Sequence, residues 1–324
     1  MSTITADGSA FGRLLEPYRS ELLAHCYRML GSVHEAEDVV QETYLRAWRA
    51  RERYDASRAS LRTWLYRIAT NACLTARENG SRRPLPSGFT GPSEPLDPFV
   101  PGRETAWLQP LPDTLFPAGD PAHSALERGT LRLAFVAALQ HLSARQRAVL
   151  ILRDVLGFSA AETAEIIGAS VISVNSALRR ARSSMAAGAA QPDELSEPPE
   201  AERQALVERY MRAFETADVA GIKRLLTDDV LMEMPPMLNW FVGRENYGLF
   251  MEWVFKANGT DWQLEPLGAN GQPAFAAYVR RGPSYRLHTV QVFTISANGI
   301  SRLTVFQDDT VFASFGLPLE TGRA

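Results

Sequence analysis

Residues 157 to 185 read GFSAAETAEIIGASVISVNSALRRARSSM. Ser159 followed three positions later by Glu162 is a capping box, a hydroxyl and a carboxylate that satisfy each other's free amides at a helix start. Gly168 supplies a turn, and Ser170 caps a second helix. Along that second helix Val171, Val174, Leu178, Ala181 and Met185 form one apolar stripe. The opposite face presents Ser173, Asn175, Ser176, Arg179, Arg180 and Arg182, with no acid between Glu165 and Asp193. This is the layout of a helix-turn-helix, in which asparagine and arginine read base edges and later arginines hold phosphates.

The surroundings agree with that reading. Residues 127 to 187 carry eight arginines against four acids, a net charge of about +4. A second capping box, Ser143 to Gln146, fixes another helix start, so 124 to 187 read as one all-helical domain. A formal charge of −3 for the whole chain gives no global signature of nucleic-acid binding, so any DNA contact is local. Among 34 basic residues only Lys223 and Lys256 are lysines, a bias that carries no functional weight.

Upstream, helical periodicity runs over residues 11 to 80. Within it, Asp38, Gln41, Glu42, Leu45 and Arg49 fall on one stripe at i, i+3, i+4, i+7 and i+11, with Ala36, Val40, Thr43 and Ala47 opposite. The second set is the natural core face. The first set suits a basic protein surface with an apolar spot, although an ordinary solvated face has the same period. Between 81 and 123 prolines recur too often for regular elements, which predicts an extended linker. Trp107-Leu108-Gln109-Pro110 is an apolar knot in it that could dock on the third domain.

After an acidic linker over 188 to 202, with five acids and three prolines in QPDELSEPPEAE, the pattern turns to mixed helix and strand over 203 to 318. Tyr285 to Ile295 and Ile300 to Gln307 flank Ala297-Asn298-Gly299, a hairpin signal. The expected architecture is therefore multidomain: two all-α helical domains, the second with a helix-turn-helix, and a C-terminal α+β cone-like domain. Two cysteines, Cys26 and Cys73, allow neither a disulfide framework nor a four-ligand metal site, and no metal or cofactor is expected. The first 30 residues lack a signal core and no run of 18 apolar residues occurs, which predicts a cytoplasmic protein without membrane contact.

These motifs resemble the sigma-70 family of RNA polymerase sigma factors, in its extracytoplasmic-function branch. LLAHCYRMLGSVHEAEDVVQETYLRAWR resembles the first sigma domain (11 to 80), LRTWLYRIATNACLTARE its promoter-reading helix, and LSARQRAVLILRDVLGFSAAETAEIIGASVISVNSALRRAR the fourth-region helix-turn-helix. Residues 203 to 318 resemble the SnoaL-like, ketosteroid-isomerase cone, a combination similar to the SigG-type subgroup. The resemblance implies a promoter-specificity subunit, not an enzyme. It implies that Asp38, Gln41, Glu42 and Leu45 dock on the clamp helices of the polymerase largest subunit, and that promoter DNA is the second partner. It further implies that the helix of Arg67 and Asn71 reads the melted −10 element, and that the linker threads through the polymerase. The loop from Glu52 to Ser60, with Arg53, Tyr54, Asp55 and Arg58, is the candidate pocket for a flipped base, beside Trp64 and Tyr66.

In the third domain Tyr210, Trp240, His288 and Asp308 are the residue types that could line a pocket, while Trp240, Phe241, Trp253 and Trp262 could equally be core. An anti-sigma factor and a small ligand stay open as further partners. So do two other readings: a helix-turn-helix activator that never enters the polymerase, and a cyclase or isomerase with a helical appendage.

Overall fold

The computed structural model describes residues 8–78, 82–120, 122–187 and 198–322. Most of the acidic linker over 188 to 202 lies outside the described residues. Contacts divide the chain into two units, one formed by 1–83 with 114–189 and the other by 84–113 with 190–324.

The first unit is all-helical. Its first part holds α1 (Gly8–Leu15), α2 (Arg19–Leu30), α3 (Val33–Ala50) and α4 (Leu61–Glu78). Gly31, at φ 72°, ends α2 in the left-handed conformation that glycine adopts without a Cβ clash, and Ser32 then caps α3 by accepting from the Glu35 amide. Its second part holds α5 (His123–Glu127), α6 (Leu133–Gln140), α7 (Ala144–Leu150), a π turn at Ile151–Val155, α8 (Ala160–Ile166) and α9 (Val171–Ala187). Both expected capping boxes form, at Ser143 with Gln146 and at Ser159 with Glu162. Gly168 takes φ +61° between α8 and α9, and the Ser170 hydroxyl accepts the Ser173 amide at 3.2 Å.

A seam joins the two parts through buried side chains of α2, α4 and α7. The Arg28 guanidinium donates to the carbonyl and hydroxyl of Thr130 at 3.1 and 2.8 Å. Arg147, buried, donates to the carbonyls of Leu139 and Leu142 and to that of Met29. Burial lowers Arg28 to about 10 and Arg147 to about 9, chiefly because the interior disfavours charge. Tyr66 links His25 to Phe158 by edge contacts of 5.1 Å each, and the Arg62 guanidinium lies over both Tyr66 and Phe158.

In the second unit a sheet runs in the order β2 (Trp240–Val242), β1 (Leu226–Glu233), β6 (Gly299–Phe306), β5 (Ser284–Ser296), β4 (Gln272–Arg281), β3 (Trp262–Ala269), and β7 (Glu320–Thr321) pairs with β5. Among the described residues only β1 and β6 pair in parallel; the expected hairpin is β5–β6. Helices α10 (Glu200–Glu215), α11 (Val219–Lys223), α12 (Arg244–Asn258) and α13 (Asp309–Ser314) complete it. Its core gathers Tyr210 and Phe214 of α10, Phe241 of β2, Tyr247 and Phe250 of α12, and Phe275 and Phe293 of β4 and β5.

The proline-rich stretch is not an open chain over its whole length. Residues 84 to 113 are stitched to the sheet of the second unit, and Thr114 onward belongs to the helical unit. Ser87 donates its amide and hydroxyl to the buried Glu233 carboxylate, at 3.1 and 2.7 Å, while Arg302 holds the other oxygen at 2.9 Å. The buried Asn239 accepts the Val100 amide at 2.8 Å. Asn270 and Leu111 exchange two bonds of 2.8 Å, and Asp113 accepts from Gly271. Phe99 packs edge-on against Phe250 and Trp253. No helix among the described residues is long and apolar enough to cross a membrane.

Candidate polymerase and nucleic-acid interfaces

On α3 the two stripes separate as periodicity predicts. Ala36, Val40, Thr43 and Ala47 are buried, whereas Asp38, Gln41 and Leu45 are exposed and Glu42 is half-buried. Leu45, 51% exposed, is the apolar spot, and Glu42 forms an i,i+4 pair with Arg46 at 2.6 Å. The face thus combines two carboxylates, an amide and a leucine held by a capped helix.

The candidate −10 residues are on α4. Arg67 and Asn71 both point outward and are exposed, and in this conformation α8 touches them. Asn71 donates to the Ile166 carbonyl at 3.3 Å as well as to the Arg67 carbonyl at 2.7 Å, and Arg67 lies 3.9 Å from Glu165. Together with Arg53, Tyr54, Asp55, Arg58 and Trp64 they line a cleft of about 490 Å³. Trp64 packs on Tyr54 with ring centroids 5.0 Å apart and presents its other side to the cleft. Tyr66, by contrast, is core: burial drives its phenol well above the usual range, and its hydroxyl reaches Glu21.

On α9 the buried stripe is Val174, Ala177, Leu178 and Ala181. Val171, assigned to that stripe by its position on the wheel, is instead 42% exposed, because the first turn of α9 extends past its packing partners. Asn175, Arg179, Arg180 and Arg182 are exposed, Ser173 and Ser176 half-buried. Arg182 forms a two-pronged bond with Asp154 of the π turn at 2.8 and 2.7 Å, so its orientation is already fixed.

The four candidate pocket residues of the third domain have separate structural roles. Tyr210 is fully buried and its hydroxyl bonds that of Tyr247, while its ring contacts Phe293 and Phe275. Trp240 donates its ring N–H to the Thr90 carbonyl. His288 packs edge-on against Trp262 and is lowered to about 4, mainly by burial. Asp308 caps α13 by accepting the Thr310 amide. The cleft of about 880 Å³ in this unit lies between α10, α11 and the β5–β6 turn and is lined by none of the four. Of the core-or-pocket aromatics, Phe241 and Trp262 are buried, and Trp253 is 40% exposed. Sequence reasoning missed Glu233 and Arg62: Ser87 and Arg302 at the one, and Glu21 and Phe158 at the other, are distant in the chain and leave no local signal.

Three family models match the chain: Sigma-70 region 2 over residues 14–83, Sigma-70 region 4 over 132–185, and the SnoaL-like domain over 207–308. The ECF RNA polymerase sigma factor SigG of Mycobacterium tuberculosis is 49% identical over 311 residues, covering 95% of this chain and 84% of that protein. SigW of Bacillus subtilis is 32% identical over 181 residues, 55% of this chain and 88% of that one. The crystal structure of the Mycobacterium tuberculosis sigma factor SigJ, 22% identical, superposes with a TM-score of 0.63 over 97% of this chain and all of that one, and so shares its fold. The chain therefore belongs to the extracytoplasmic-function family of RNA polymerase sigma factors, transcription factors that direct the polymerase to promoters, and it carries a SnoaL-like C-terminal domain.

Proposed function

We propose that the chain engages core polymerase through Asp38, Gln41, Glu42 and Leu45 against the clamp helices of the largest subunit. The same reading places Arg67, Asn71 and the 52–60 loop on the melted −10 strand, in the cytoplasm where the polymerase works. It places Ser173, Asn175, Ser176, Arg179, Arg180 and Arg182 in the major groove of the −35 element. One observation carries this reading: α3 and α9 each bury their apolar face and present the face whose chemistry fits the partner, acidic for protein and basic for DNA.

The C-terminal unit regulates by retaining residues 84 to 113. A linker bound at Glu233, Asn239 and Asn270 is not free to thread through the polymerase, and α8, bonded to Asn71 and beside Arg67, competes for the −10 surface until the helical unit opens. Run-off transcription with purified core polymerase tests both parts. Asp38→Arg, which reverses charge at an exposed position, abolishes initiation while leaving the fold intact. Removing residues 191 to 324 changes output from a cognate promoter. Full activity of Asp38→Arg overturns the docking face, and unchanged output after truncation overturns the regulation.

A further inference from the structure

Ile172 is the most exposed of the large hydrophobic side chains among the described residues, at 80%. Single exposed aliphatics are commonplace on protein surfaces, so the place of this one decides its meaning. It stands in the first turn of α9, and with Asn175, Ser176 and Arg179 it falls at i, i+3, i+4 and i+7, one stripe of the helix. Asn175 and Arg179 are exposed along that stripe. Val171, 42% exposed, widens the apolar start of the same surface. Buried Val174, Leu178 and Ala181 fix which way the stripe faces.

An aliphatic side chain in a major groove has one strong apolar target, the C5-methyl of thymine. Asn175 has the matching polar one, the N6 and N7 edge of adenine. Three residues of helix span about 4.5 Å along the axis, close to one base-pair step of about 3.4 Å. The two side chains therefore reach the same or neighbouring A·T pairs.

We propose that Ile172 is a specificity-determining residue that reads a thymine methyl in the −35 element. This rests on the reading that α9 enters the major groove. Burying one methyl against an apolar side chain corresponds to about a three- to fivefold change in affinity.

The test uses the full-length chain assembled with core polymerase. Promoters are selected from a library randomised at the −35 element, and each thymine of the selected element is then replaced in turn by deoxyuridine, which keeps the hydrogen-bonding edge and lacks only the methyl. The expected result is one thymine whose replacement weakens promoter binding three- to fivefold. That effect disappears in Ile172→Ala and returns in Ile172→Leu. A selected element without thymine, a deoxyuridine scan without effect, or an effect that persists in Ile172→Ala overturns the proposal. Equal weakening by Ile172→Ala on thymine and deoxyuridine templates also overturns it and points to a protein contact instead. Asn175→Ala and Arg179→Ala separate the two levels of the reading: if they alter −35 selection, α9 reads DNA whatever Ile172 does, and if neither does, the groove reading itself fails.

Discussion

The seam inside the helical unit and the seam inside the C-terminal unit are built oppositely. In the first, long arginines reach across to backbone carbonyls, as Arg28 does to Thr130 and Arg147 to Met29. In the second, short buried side chains wait for the backbone of a passing segment, as Glu233 does for Ser87, Asn239 for Val100 and Asn270 for Leu111. Arg28 and Arg147 are themselves buried, but each has a long stem that carries its guanidinium to water once the two parts separate, so its charge regains solvent as the first seam opens. A buried carboxylate that loses its donors keeps the full desolvation penalty, so the second holds until something replaces the linker. The difference assigns movement to the helical unit and retention to the C-terminal one.

Glu233→Ala strikes the linker's hold most severely. It removes the acceptor of Ser87 and the carboxylate that Arg302 holds at 2.9 Å, a loss of about 3 kcal/mol. We expect lowered thermal stability of the C-terminal unit and faster proteolysis between residues 84 and 113, with Glu233→Gln intermediate. Unchanged protection of that stretch would mean the latch lies elsewhere.

The helical seam answers to acid. His25 is fully buried, bonded to Thr70 at 2.9 Å, and held down to about 3 first by burial and then by Arg28 and Arg62. The folded chain keeps this imidazole neutral, whereas the unfolded chain protonates it near 6.5. Stability is therefore complete above pH 6.5 and falls by about 1.4 kcal/mol for each unit below it, until about pH 3. Between pH 6.5 and 5 the loss is about 2 kcal/mol. Denaturant titrations at several pH values check this. His25→Gln flattens the slope without abolishing it, because His141 of the same unit is also lowered, first by burial and then by Arg82 and Arg147.

Asn239→Ala is a smaller perturbation. It deprives the Val100 amide of its acceptor at 2.8 Å, and that unmet amide costs about 1 to 2 kcal/mol. Amide exchange at Val100 should accelerate; no change there would place the hold on the linker at Glu233 and Asn270 alone.

What was legible in the sequence follows from which of these contacts are local. The capping boxes at Ser143 and Ser159, the turn at Gly168 and the two faces of α3 are written within four residues of each other, and each can be read from the chain. A helical wheel gives the direction of a side chain but not how far along the axis the partner extends, which is why Val171 emerges in solvent. Proline content predicts that 84 to 113 forms no α-helix or long strand, and the stretch holds only short 3-10 turns and isolated bridges, yet that content is silent about acceptors 139 to 159 residues away. Residue type alone points to Tyr210 and His288, and type does not reveal that one faces Tyr247 in the core and the other Trp262.

The smallest expected effect is the most informative about opening. Arg67 and Glu165 sit at 3.9 Å, with side chains 55% and 49% exposed, so the pair contributes no more than about 0.5 kcal/mol. Glu165→Gln should leave the unfolding midpoint almost unmoved. Yet the Glu165 carboxylate beside Arg67 is a negative charge that repels a phosphate, so its neutralisation should tighten binding of a single-stranded −10 oligonucleotide by about twofold at low salt and by less as salt rises. A gain of that size with unaltered stability would show that α8 competes for the −10 surface through weak, exposed contacts. If binding stays constant, the restraint lies deeper, at Asn71 and Ile166 or at the arginines that close the seam, and Arg147 becomes the residue whose release must precede promoter opening.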